Sequence, residues 1–89
     1  MLTDINLIWS KIIKHQRENF YTIRGKLYTY IVEDDNIIIP HVKNGRIPKN
    51  NIEKALAVKN PSPQKIGLAG VWGPSYVYGI ITDDRIKNN

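Results

Sequence analysis

The 89-residue chain contains no cysteine. Disulfide staples, thiolate metal sites and cysteine nucleophiles are excluded together, and the composition agrees with a reducing, cytoplasmic setting. Long hydrophobic runs are missing as well. No apolar stretch is long enough to cross a bilayer, and Met1 to Ile5 carry neither a basic leader nor a continuous apolar core. The expectation is a protein that is neither exported nor membrane-spanning. There is no internal repeat, low-complexity tract, Walker loop or dinucleotide fingerprint, and Ser10, Ser62 and Ser75 lie outside any nucleophile elbow.

Candidate acid–base and metal groups are equally sparse. Of the two histidines, His41 stands alone, and His15 has Glu18 three residues on, which reads as a surface pair. Glu33-Asp34-Asp35-Asn36 is acidic, but three adjacent acids on a tight turn do not converge on one cation, so it reads as a solubilising turn. The expectation is no catalysis, no cofactor and no metal.

What is present suits one small folded unit. An apolar fraction of 42% and a charged fraction of 24% argue against disorder, and the length suits a single domain over 1–89. The expected class is α+β. Ile5, Ile8, Trp9, Ile12 and Ile13 recur at helical spacing, which predicts an amphipathic helix over 4–17 capped by Thr3 or Asp4. From Phe20 the period changes to two. Runs 20–24 and 27–32 then form a hairpin about a Gly25-Lys26 turn, with Thr22 opposite Thr29 and Tyr21 opposite Tyr30. The tyrosine-rich face, Tyr21, Ile23, Tyr28, Tyr30 and Val32, is the expected core side. Ile37 to Ile39 complete a three-stranded antiparallel meander.

Beyond Pro40 the reading is a loop over 41–47, then a short helix opened by an Asn50…Glu53 capping box, then a stiff connector over 60–65. Residues 66–82 hold no charge. Glycines break 66–73, which suits a packed loop, and Pro74 opens a second short helix through Tyr76, Val77, Ile80 and Ile81, with a strand over the same residues as the alternative. Residues 83–89 read as a frayed tail. The expected order is α-β-β-β-α-α.

Charge supplies the functional clue. The net charge is +5, and residues 41–65 alone carry that excess through His41, Lys43, Arg46, Lys49, Lys54, Lys59 and Lys65 against Glu53. Interspersed asparagines complete a mixture suited to phosphates and base edges. The expected function is a non-enzymatic nucleic-acid-binding domain, DNA included, contacted by Arg24, Lys26, Lys43, Arg46, Lys49, Lys59 and Lys65. A hairpin offering Thr22, Arg24, Lys26 and Thr29 to a groove is one geometry, and phosphate tracking by 41–65 is another. Trp72, Ser75 and Tyr76, at the mouth of the second short helix, form a candidate phosphate or partner contact. The alternative is a small protein-binding module or inhibitor, such as a phage-type protein acting on a nuclease, with Trp72, Tyr76 and Tyr78 as anchors. Oligomeric state stays open.

Overall fold

The computed structural model describes residues 4–87, so the proposed Thr3 cap lies outside the described residues. Helix α1 spans Ile5–Lys14, and the Asp4 side chain accepts a hydrogen bond from the Asn6 amide. That bond satisfies a first-turn donor that has no partner inside the helix. Ile8, Trp9 and Ile12 are buried, while Ile13 faces solvent. The helix stops three residues short of the predicted end because the chain reverses at Arg17, where φ is +70°. Tertiary bonds hold the reversal. The Arg17 amide donates to Tyr30 O at 2.7 Å, the Tyr30 hydroxyl donates to Ile12 O at 2.7 Å, and the Val32 amide donates to Gln16 Oε1 at 3.0 Å.

Strands β1 (Phe20–Tyr21) and β2 (Leu27–Tyr28) form the hairpin, in a register other than the predicted one. Phe20 pairs with Tyr28 and Tyr21 with Leu27. The loop is longer than two residues: the Thr22 amide bonds to Lys26 O, the Gly25 amide to Thr22 O, and Gly25 sits at φ +84°. A three-residue loop with glycine in the left-handed position replaces the tight turn. The resulting shift is by an odd number of residues, which exchanges the faces of one strand relative to the other. Phe20, Tyr28 and Tyr30 are therefore buried together, and Tyr21 and Ile23, expected in the core, are 57% and 62% exposed.

The three-stranded antiparallel sheet is built from later strands than predicted: β3 (Ile31–Glu33), β4 (Asn36–Ile38) and β5 (Arg46–Pro48), in that order. The Asp34-Asp35 turn joins β3 to β4 with both residues at positive φ, as a two-residue hairpin loop requires. β5 falls where a loop was expected. It has one buried side chain, Ile47, opposite Ile37, so its alternation is too short to stand out in the sequence. Gly45 lets the loop before it close, because a Cβ there would lie 2.9 Å from Ile39 O.

Helix α2 is Lys49–Leu56, with Pro48 rather than Asn50 at its cap position and no side-chain cap. The Lys49 amide instead donates to Asp35 O in the β3–β4 turn, so the backbone of the sheet does the capping and the Asn50…Glu53 box is not used. Helix α3, Pro63–Leu68, takes the second half of the connector expected over 60–65 and the first part of the loop expected over 66–73. Ser62 caps it by accepting from the Lys65 amide, Pro63 takes the first position where no amide is needed, and Ile66 is buried. Helix α4, Pro74–Ile81, is the helix read from the sequence, and the strand alternative falls away. It packs on α2, α3 and β1. The last helix, α5 (Asp84–Lys87), corrects the frayed tail: Ile86 is 0% exposed, while residues 88 and 89 lie outside the described residues.

Candidate nucleic-acid interface

The seven predicted cations fall in five separate parts of the fold. Arg24 is exposed in the hairpin loop. Lys26 follows it but turns toward α4, where its Nζ donates to the Tyr76 hydroxyl at 3.2 Å and lies 5.7 Å from that ring's centre. Lys43 and Arg46 are exposed on either side of the Asn44-Gly45 turn, and Arg46 lines a shallow cleft of about 240 Å³ with Ile38, Pro40, Val42 and Asn44. Lys49 leans over the Trp9 ring at 5.7 Å and reaches Asn6 Oδ1 at 3.4 Å. Lys59 is exposed between α2 and α3, and Lys65 donates to Asn60 O at 3.2 Å.

Two groups emerge from this. Lys26, Lys49 and Lys65 have neutral internal partners. Arg24, Lys43, Arg46 and Lys59 project into solvent. Among the described residues no carboxylate lies within salt-bridge distance of any of the seven. Their charge is therefore uncompensated by close pairing and free to act on an anionic ligand.

Trp72, Ser75 and Tyr76 do meet at the start of α4. Trp72 stacks on Tyr76 with centroids 6.4 Å apart and planes 11° from parallel, and Tyr76 meets Tyr28 edge-on at 4.9 Å. The Tyr28 hydroxyl donates to Tyr76 O at 2.8 Å. Trp72 and Tyr76 are half-buried and pack against the core, so their main role is to seat α4; Ser75 is exposed beside them. Burial raises the phenol pKa values of Tyr28 and Tyr30 above the usual range, so both stay neutral donors.

Sequence reasoning missed a charged cluster at the opposite end of the hairpin. Arg85 stacks over Phe20 at 3.9 Å and donates to Glu18, to Asp83 and to Asn19 O. His15 Nδ1 lies 3.1 Å from both Glu18 oxygens, so the predicted surface pair exists and Arg85 extends it. Reading Arg85 as part of a frayed tail hid this link. Among the described residues, no group of three or more His, Asp or Glu is placed to hold a metal ion.

The cluster is expected to make stability depend on pH. Hydrogen bonding to His15 and then to Arg85 holds the Glu18 carboxyl below its usual value, and hydrogen bonding to Arg85 does the same for Asp83. A carboxylate with a depressed folded-state pKa contributes stability that is complete above its unfolded value and is lost as pH falls through the folded one. The melting temperature is expected to drop as pH falls below the unfolded-state values near 4.5 and 3.8. Arg85→Ala should melt lower at neutral pH and show a shallower acid limb. An unchanged acid limb in calorimetric scans would remove the linkage.

These features describe an α+β fold in which Arg24, Lys43, Arg46 and Lys59, in separate parts of the molecule, are exposed without a close carboxylate partner among the described residues. No family model matches the chain, and searches of curated proteins and of solved structures give no significant match. Among the described residues no helix is long and apolar enough to cross a membrane.

Proposed function

We propose that this protein is a non-enzymatic nucleic-acid-binding domain whose affinity comes chiefly from phosphate contacts by Arg24, Lys43, Arg46 and Lys59. The observation that carries the reading is that these four cations are exposed and have no carboxylate partner among the described residues. Lys26, Lys49 and Lys65 add to the field but are tethered to Tyr76, Asn6 and Asn60.

Four phosphate contacts on duplex DNA give a log–log salt slope of about −3.6, or about a hundredfold loss of affinity between ~50 and ~200 mM salt. Single strands lose about fiftyfold over the same range. Lys43→Glu with Arg46→Glu, both at exposed positions, should remove most of the binding while leaving the circular dichroism spectrum intact. Binding that ignores salt, or none at low salt, would falsify the reading. A second reading, a protein-binding module, is favoured by Leu68, which is 81% exposed inside an uncharged exposed stretch over 67–70. It gains ground if the chain binds no nucleic acid at low salt.

A further inference from the structure

The hairpin has two unlike faces. Phe20, Lys26 and Tyr28 turn toward the body of the molecule, where Lys26 and Tyr28 meet Tyr76. Tyr21 and Leu27, paired across the strands, point the other way, and with Ile23 they are 57%, 50% and 62% exposed. Among the described residues no ring packs on Tyr21 and no side chain bonds to it. Three large apolar side chains are thus grouped on nine residues of hairpin, 20–28, whose only charges are Arg24 and Lys26.

The groove-reading geometry does not suit this hairpin. Its strands are two residues each, about 7 Å long, against a major groove about 12 Å wide. Two of the four side chains that reading needs are engaged: Thr22 Oγ1 accepts from the Lys26 amide, and Lys26 Nζ is held on Tyr76. What the hairpin offers is an exposed aromatic ring on β1 and, three residues on in the loop, an exposed cation with no carboxylate partner among the described residues. A duplex hides its base faces within the stack, whereas a single strand can lay one on an exposed ring and place the adjoining phosphate on an arginine.

The backbone that carries the ring packs closely on α4. The Tyr21 carbonyl lies so close to α4 that a Cβ on Gly79 would sit 2.6 Å from it. Packing of the backbone beneath the ring removes the backbone part of the ordering cost of binding.

Resting on the nucleic-acid reading, we propose that the outer face of the β1–β2 hairpin is a base-stacking platform for single-stranded nucleic acid. Tyr21 stacks an unpaired base, Leu27 and Ile23 flank the ring, and Arg24 holds the phosphate beside it.

The test is fluorescence anisotropy of the full chain with a labelled oligo-dT strand, the matching dT·dA duplex, and an abasic strand of equal length. Tyr21→Ala should weaken oligo-dT binding about tenfold and Tyr21→Phe should preserve it, since stacking uses the ring and not the hydroxyl. The abasic strand should bind the wild-type chain about as weakly as oligo-dT binds Tyr21→Ala, and Arg24→Ala should lower the salt slope by about 0.7. Equal affinity of wild type and Tyr21→Ala for oligo-dT, or of the duplex and the single strand for wild type, overturns the proposal. So does competition by polyglutamate as strong as that by unlabelled oligo-dT, which would assign the face to an acidic protein. If Lys43→Glu with Arg46→Glu abolishes binding while Tyr21→Ala changes nothing, the platform fails and the nucleic-acid reading stands. If no strand binds at low salt, both fail.

Discussion

Gly79→Ala is expected to destabilise the protein by about 3 kcal/mol, although alanine is the better helix former by about 1 kcal/mol. Gly79 lies in the last turn and a half of α4, on the side that meets the hairpin. A Cβ there would come within 2.6 Å of Tyr21 O and 2.7 Å of the Tyr28 hydroxyl. The first contact is with backbone and cannot be relieved by a rotamer change. The second pushes on a phenol that is buried and already donates to Tyr76 O at 2.8 Å. Relief therefore requires α4 and the hairpin to separate, with loss of that hydrogen bond and of the edge-on contact between Tyr28 and Tyr76. Urea titration measures the effect. A loss below about 0.5 kcal/mol, the scale of an ordinary surface substitution, would mean that the close approach is not a feature of the folded protein.

Ending the chain at Asp83 is expected to cost about 4 kcal/mol, close to the whole stability of a marginal domain. The shortened chain loses Ile86, which is 0% exposed, and burial of such a side chain alone accounts for about 2–5 kcal/mol. It also loses the Arg85 guanidinium, which lies 3.9 Å over the Phe20 ring and bonds to Glu18 and Asn19 O. For a domain of this size the melting temperature should fall by about 20 °C. A frayed tail predicts a shift of a degree or two. The melting curve separates the two outcomes, and Ile86→Ala, with part of the loss, apportions it.

Both effects come from contacts between segments far apart in sequence, and that pattern explains how much was legible beforehand. Helix α1 was read from Ile5, Ile8, Trp9, Ile12 and Ile13, because an apolar stripe at a period of 3.6 is a local signal; Ile8, Trp9 and Ile12 are its buried part and Ile13 is exposed. Helix α4 was read from Pro74 and the apolar spacing after it, and the Asp34-Asp35 turn from its residue types, for the same reason. The Ser62-Pro63 pair that opens α3 was an equally local signal: a hydroxyl cap followed by proline at the first helical position. It was obscured by Pro61 before it and by the glycines after it.

The hairpin register was of another kind. Both strands alternate, and either register places some apolar side chains on each face. Only the burial of Phe20 beneath Arg85, and of Tyr28 against Tyr76, selects the observed one. The candidate interface divides in the same way. That the chain is basic, and that 41–65 holds the excess, follows from residue counts. Which of those cations are free depended on where Asn6, Asn60, Trp9 and Tyr76 came to lie.

By itself, then, the amino-acid sequence determined the α+β class, the first helix, the helix after Gly73 and the basic balance, all carried by short-range periodicity or composition. Tertiary structure alone decided that Tyr21 faces outward, that Arg46 to Pro48 form a strand, that the last turn holding Ile86 is core, and that Lys26 turns inward while Arg24 stays free. The Lys26 contact follows from where the Tyr76 hydroxyl comes to lie, and the other three share one physical reason. Each depends on burying one particular surface against a distant partner, and the free energy of that burial exceeds the small local preferences a sequence displays.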